Sequence, residues 1–298
     1  HWMVAPAVAK IFPLDFRLSG DVDARVNLPK SGPWKVEAKL KLAATDFVLD
    51  NLKLKVRKKR SEIVAVKRVD LVGAVQIDPD GVRPNGLSVI LPNSKFEVSG
   101  LVGFKTGLDL KTTGPVELRD IGHLMESEIR GKGLLQTHIH GPFSVIICDF
   151  DFELTDAYYL NLDLGQVKGR VTLDDTSDLV TLRQLHGSRD RSRYVADGKI
   201  IIKDPSRIQL KVDILEGSRV EDLIAVFQDL TKDVSWFPKQ LKGEAQGVVD
   251  VSGELDLEKI SILSDLNGKD WDYWGERFTT VNLSGGYDKG KYEVADFK

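Results

Sequence analysis

The stretch GKIIIKDPSRIQLKVDI, Gly198–Ile214, alternates apolar and polar residues on both sides of Asp204-Pro205. Ile200, Ile202, Ile208, Leu210, Val212 and Ile214 fall on one face, and Lys199, Lys203, Gln209, Lys211 and Asp213 on the other. A period of two interrupted by a proline turn predicts two antiparallel strands with one apolar face and one solvated face. The same pattern recurs along nearly the whole chain, so the fold turns on what covers the apolar face.

Working outward, VEAKLKL puts Val36, Ala38, Leu40 and Leu42 on one face. FVLDNLKLKV gives Phe47 and Leu49, a turn expected at Asp50-Asn51, then Leu52, Leu54 and Val56. YLNLDLGQVKGRVTL supplies Leu160, Leu162 and Leu164, with Val167, Val171 and Leu173 beyond. GEAQGVVDVSGELDL aligns Ala245, Val249, Val251, Leu255 and Leu257 against Glu244, Gln246, Asp250, Ser252, Glu254 and Asp256. Further turns are expected at Asp80-Gly81, Pro84-Asn85-Gly86, Asn267-Gly268, Gly285-Gly286 and Asp288-Lys289-Gly290. That rhythm predicts a meander of many short strands. Helical spacing appears in VEDLIAVFQDL, predicting a helix over about 218–231, and more weakly in VELRDIGHLMESEI, about 116–129.

The chain also repeats. SKFEVSG, SRYVADG and GKYEVAD place Phe96, Tyr194 and Tyr292 at equal intervals of 98 residues. FRLSG, THIHG and DVSG supply a second landmark at Gly20, Gly141 and Gly253, and the distance from glycine to aromatic shrinks from 76 to 53 to 39. Units of this kind imply growth along one axis. The expected organisation is a tag remnant or disordered start at 1–10, then one continuous β-groove segment over 11–298 in about three repeats: 11–130, 131–242 and a partial 243–298. Strand-like pattern at both ends (DFRLSGDVDARV and KYEVADFK) leads us to expect a fragment of a longer protein.

Composition narrows the classes. With 42% apolar and 29% charged residues the chain is expected to fold. A net charge of -3 argues against a general nucleic-acid binder. Cys148 is the one cysteine, which excludes a disulfide scaffold. No P-loop, dinucleotide fingerprint or nucleophile elbow is present.

A rough area shows what needs explaining. About 20 strands at ~4.8 Å spacing and ~20 Å length present on the order of 1,900 Å² on one face. A monomer leaves only ~300–600 Å² of contiguous apolar surface open. Two helices of ~12–14 residues cover about a fifth of the sheet. The sheet must therefore fold on itself or hold another apolar body.

The combination of VDVSGELDL, the aromatic strands GKYEVADF and SRYVADGKIII, and a short helix after LKVDILEGS resembles the AsmA-like superfamily of bacterial envelope proteins, most closely its TamB-like members. The resemblance covers roughly 11–298, is strongest from 131 onward and fits 55–100 least well. It implies an all-β fold: an elongated, curled antiparallel sheet, a U-shaped β-groove with a few short helices. It implies a periplasmic segment of a bridge-like protein, anchored in full length to the inner membrane, that carries phospholipid acyl chains toward the outer membrane or supports outer-membrane assembly. Phospholipid, the two membranes (through parts missing from this chain) and an Omp85-type outer-membrane barrel are the implied partners. No enzyme activity and no cofactor is expected. The alternative is a structural or adhesin-like β scaffold with a dry, self-packed core.

The expected groove lining is Val36, Ala38, Leu40, Leu42, Leu49, Leu52, Leu54, Leu160, Leu162, Ile200, Ile202, Ile208, Leu210, Val212, Val249, Val251, Leu255 and Leu257. Other features read more plainly. KVRKKRSEIVAVKR, 55–68, carries seven positive charges and reads as a solvated hairpin, or as a rim for anionic headgroups. His138 and His140 share a strand face, but no Cys or carboxylate pattern of zinc-site type accompanies them, so no metal is expected. Cys148 reads as a small buried hydrophobe. Trp271, Tyr273 and Trp274 beside acids would suit a sugar cleft, yet aromatics on strands and acids at turns explain them equally well.

Overall fold

A computed structural model describes residues 14–51, 61–120, 123–124, 127–159, 162–174, 176–202, 205–226, 240–254, 259–288 and 291–297. The chain is all-β. The first strands are β1 (Leu14–Asn27), β2 (Lys35–Asn51), β3 (Ser61–Asp78), β4 (Gly81–Ile90), β5 (Lys95–Gly103) and β6 (Gly107–Glu117). A minimal pair follows, β7 (His123–Leu124) with β8 (Ser127–Glu128). Next come β9 (Arg130–Gly141), β10 (Ile147–Tyr159), β11 (Leu162–Asp174), β12 (Leu179–Arg189), β13 (Ser192–Ile201) and β14 (Arg207–Arg219). Helix α1 (Val220–Val226) precedes β15 (Lys242–Glu254), β16 (Ile260–Tyr273), β17 (Glu276–Asp288) and β18 (Lys291–Phe297). Apart from β7 and β8, the strands form one 16-stranded sheet in chain order, with β1 and β18 as its two ends. The sheet is therefore an open antiparallel meander and not a closed barrel. Among the described residues no helix is long and apolar enough to cross a membrane.

The chain forms two compact units: His1–Phe152 with Leu173–Ser177, and Glu153–Thr172 with Asp178–Lys298. In the first, Ala44, Val66 and Val69 form a buried cluster with Phe47, Val89 and Leu91 against it. In the second, Val220, Ala245, Trp271 and Val281 are buried, and Leu223 and Ile224 of α1 pack on them. Trp271 also donates its indole N–H to the Glu244 carbonyl at 2.7 Å, which satisfies the one polar group this side chain buries.

Several expected turns are strand interior. Asp50 and Asn51 pair with Glu62 and Ser61, so the chain does not reverse there and β2 runs through them. Asn85 pairs with Ala74 beside a register shift, which makes Pro84-Asn85-Gly86 a bulged strand. Asn267 and Gly268 pair with Asn282 and Val281, and Gly285-Gly286 lies inside β17. At Gly268 and Gly286 the physical reason is close approach. A Cβ on Gly268 would meet the Trp271 ring at 2.2 Å, so glycine stands there to admit the indole rather than to turn the chain. Asp80-Gly81 does sit where β3 gives way to β4; Asp204 of the expected Asp204-Pro205 turn lies outside the described residues. The predicted 116–129 helix is instead one 3-10 turn, Leu118–Asp120, followed by the β7–β8 pair. Residues 121, 122, 125 and 126 of that stretch lie outside the described residues. The 218–231 helix is present as α1, Val220–Val226; residues 227–231 lie outside the described residues.

Local geometry recurs along the chain. The landmark glycines share a backbone conformation that L side chains rarely adopt, with φ of 134° at Gly20, 112° at Gly141 and 121° at Gly253. On the strand after each, an aspartate takes the left-handed conformation: Asp46 at 54°, Asp156 at 52° and Asp270 at 53°. Aspartate tolerates this better than most residues, and each precedes an apolar side chain, Phe47, Ala157 or Trp271. A polar clasp also repeats. Ser94 Oγ lies 2.7 Å from Asp120 Oδ2 and accepts the Glu117 N–H at 2.9 Å. Ser192 Oγ lies 3.1 Å from Asp222 Oδ2 and accepts the Arg219 N–H at 2.8 Å. The same carboxylates accept the Asn93 and Arg191 backbone N–H groups at 2.8 and 3.1 Å. In each copy the serine stands at the start of a strand, Ser94 just before β5 and Ser192 at the head of β13, and the aspartate sits in the short helical turn after the strand paired with it, and so pins that turn to the sheet. An aromatic follows each serine two residues on. Phe96 is buried, and Tyr194 lies over Gly187 and donates its hydroxyl to the Leu164 carbonyl at 2.8 Å.

Candidate functional site

Antiparallel partners directly opposite one another share a face, so the register lists what each face presents. In the first unit one row runs Val26, Val36, Ile77, Val82, Val102, Leu108, Gly141 across seven strands without a polar side chain. Beside it lie Ala24, Ala38, Val75 and Pro84, then Val22, Leu40 and Gly73. The alternate face carries Arg25, Glu37, Gln76 and Arg83 in one row. In the second unit the apolar rows are Gly198, Leu210, Val251, Ile262, Tyr287 and Ala196, Val212, Val249, Ser264, Gly285. The alternate face there carries Asp197, Lys211 and Asp250. Ser264 and Tyr287 carry the hydroxyls in those rows, and that of Ser264 donates to the Gly285 carbonyl at 2.9 Å. These rows thus contain no charged side chain.

Of the expected lining, Ala38, Ile200 and Ile208 are buried, at 6, 6 and 7% exposure. Val36, Leu40, Leu42, Leu162, Ile202, Leu210, Val212, Val249 and Val251 are half-buried. Leu49 belongs to β2, paired with Leu14 and Val64. Leu52, Leu54, Leu160, Leu255 and Leu257 lie outside the described residues. The apolar row of β1 is open: Leu18, Val22 and Val26 are 55, 57 and 62% exposed. Sequence reasoning left Val22, Val26, Ile77, Val82, Val102 and Leu108 out of the lining; for Val82, reading Pro84-Asn85-Gly86 as a turn cut the alternation of β4 short.

A depression of about 570 Å³ in the second unit is lined mainly by Leu179, Lys199, Ile201, Arg207, Gln209 and Glu254. Ile201, Arg207 and Glu254 are register partners on the face opposite Ile200 and Ile208. That hollow lies mainly on the charged side, and Ile208 and Gly253, register partners on the aliphatic face, also line it.

The remaining sequence features resolve individually. The aromatic group separates: Trp271 is core, whereas Tyr273 and Trp274 stack at 4.8 Å at the β16–β17 turn and Trp274 is 75% exposed. Trp274 and Gly275 have φ of 54° and 89°, the signature of a tight hairpin turn, and Asp272 accepts the Gly275 N–H at 3.0 Å. Asp272 is thus engaged in holding the turn. Most of the basic stretch falls on 52–60, outside the described residues; Lys67 is exposed and Arg68 forks onto Asp70 at 2.9 and 3.0 Å. Cys148 is half-buried on β10. His138 and His140 are joined by carboxylates that chain order hides: Asp109 of β6 lies 2.8 Å from His138 Nε2 and Asp149 of β10 lies 3.0 Å from His140 Nε2.

No family model, no curated protein and no solved structure matches this chain.

Proposed function

We propose that this chain is a non-catalytic module whose aliphatic sheet face takes the acyl chains of phospholipids, as part of a periplasmic bridge-like protein of the AsmA-like, TamB-like kind that its sequence resembles. The supporting observation is the register. Uncharged rows cross strand after strand, much of their side-chain surface is only half-buried, and the other sheet among the described residues is the two-stranded β7–β8 pair. The meander supplies its own backbone hydrogen bonds, so a hydrocarbon guest has no polar backbone to desolvate there. Each methylene that it buries contributes about 0.8 kcal/mol. A wall of Leu, Val and Ile offers similar contact at successive positions, which favours sliding over tight capture. Headgroups stay at the wet margin. On this reading the full-length protein is anchored in the inner membrane and meets the outer membrane, or an Omp85-type barrel, through other segments.

The experiment is lipid extraction and mass spectrometry on the purified chain, paired with Val249→Asp. Val249 sits mid-row, half-buried, with Val212 and Ser264 as partners. The reading expects phospholipid on the parent chain and much less on the variant while its circular dichroism stays that of a folded sheet. Absence of lipid from the parent chain favours the dry scaffold. Loss of fold alone identifies Val249 as ordinary core.

A further inference from the structure

We propose that His138, His140 and Asp149, supported by Asp109, form a binding site for a divalent transition metal of the zinc class, on the polar face of the first unit. The site is built by three neighbouring strands. The two-residue spacing on β9 sends both imidazoles to the face opposite Ile139, which pairs with Leu110. Asp109 of β6 is the register partner of His140, and Lys111 that of His138. From the other side, Asp149 of β10 reaches His140. One nitrogen from each histidine and one Asp149 oxygen all lie within 4.8 Å of one another. The two rings stack with centroids 4.5 Å apart.

Metal chemistry fits this arrangement. A tetrahedral zinc holds nitrogen and carboxylate ligands at ~2.0–2.2 Å, which sets the donor atoms roughly 3.3–3.5 Å apart. Side-chain rotation of about an ångström from the observed spacing reaches that range while the strands stay in register. Two imidazoles and a carboxylate match zinc, nickel or copper and are a poor match for calcium or magnesium, which take oxygen ligands. Asp109 supplies either the fourth ligand or the carboxylate that orients His138 through its other ring nitrogen, a recurrent partner of metal-bound histidine. The site is accessible, with side-chain exposures of 37% for His138, 33% for His140 and 31% for Asp149. The alternation of β10 puts Asp151 on the face of Asp149, so Asp109, Asp149 and Asp151 outweigh Lys111 around a cation. Bound there, the ion ties β6, β9 and β10 together on the side away from the aliphatic rows. This departs from the sequence expectation of no metal, which lacked the carboxylates because they sit 29 and 9 residues from their histidines.

The test is calorimetric titration of the chelator-stripped chain with zinc sulfate, alongside His138→Ala, His140→Ala, Asp149→Asn and Asp109→Asn. The proposal expects one equivalent bound and a rise in Tm with zinc. Affinity should fall at least about tenfold in His140→Ala and Asp149→Asn, and about tenfold if Asp109 is only the orienting carboxylate. Circular dichroism of each variant confirms that it is folded, and Asp149→Asn keeps shape and volume should an alanine variant fail to fold. His1 remains in every variant as an internal control for adventitious binding. Absence of stoichiometric zinc, nickel or copper binding by the parent chain overturns the proposal, as does unchanged affinity in the folded double variant His138→Ala, His140→Ala.

Discussion

Removing the hydroxyl of Ser192 tests whether the repeated clasp holds the short helical turn to the sheet. Ser192 is fully buried and Asp222 is 9% exposed. Ser192→Ala takes the acceptor from the Arg219 N–H at 2.8 Å and the donor from Asp222 Oδ2 at 3.1 Å. A buried donor left without a partner costs ~1–3 kcal/mol and a lost bond to a charged acceptor ~1.5–3, so about 3 kcal/mol is expected in total. Asp222→Ala strands the Arg191 N–H, but the Ser192 hydroxyl can turn to the Arg219 carbonyl at 3.1 Å, so the expected cost is lower, about 2 kcal/mol. The two substitutions share one hydrogen bond, and the double variant should fall short of additivity by about 1 kcal/mol. The twin at Ser94 and Asp120 should behave alike, with Asp120→Ala costing more because Asn93 also donates its side-chain amide, at 3.1 Å. Guanidinium unfolding followed by circular dichroism gives the totals, and hydrogen exchange at the Arg219 and Glu117 amides localises them. Serine substitutions that each cost under ~0.5 kcal/mol, within the range of an ordinary surface change, refute the reasoning, and so does strict additivity.

Two further outcomes follow from particular contacts. Gly187→Ala would place a Cβ 1.9 Å from the Tyr194 ring, and the resulting overpacking should destabilise by ~1–3 kcal/mol, with the Tm loss partly recovered by adding Tyr194→Ala. Burial pulls the Glu221 carboxyl upward, but its backbone N–H bonds, that of Gly243 among them, and the Arg219 guanidinium outweigh it and hold the group below the ordinary 4.5. A depressed folded value means this contribution is fully present above the unfolded value and is lost as pH falls through the folded one. Stability measured from pH 7 down to 3 should therefore drop less in Glu221→Gln than in the parent chain; equal slopes would show that Glu221 takes no part.

The alternation in GKIIIKDPSRIQLKVDI carried the fold class, because one-faced strands are written directly in a period of two. Gly20, Gly141 and Gly253 share a positive φ, and Ser94 and Ser192 share a clasp that the sequence did not announce. Strand length was not legible. Asn267-Gly268 and Pro84-Asn85-Gly86 look like turns, and only the partner strand shows that a glycine admits an indole or that a bulge absorbs an extra residue. The same limit hid the carboxylates beside His138 and His140: Asp109 and Asp149 reach them through strand pairing, which no local spacing encodes. Val82 went unread because it lies beside the misassigned Pro84-Asn85-Gly86 turn.

The most direct measurement places a photoreactive benzoylphenylalanine at Val249 in one protein and at Asp250 in another, then irradiates each with phospholipid vesicles. The two positions are adjacent on β15 and face opposite sides of the sheet. The account predicts lipid crosslinked at 249 and little at 250. Equal labelling at both, or none at 249 in the folded protein, contradicts it.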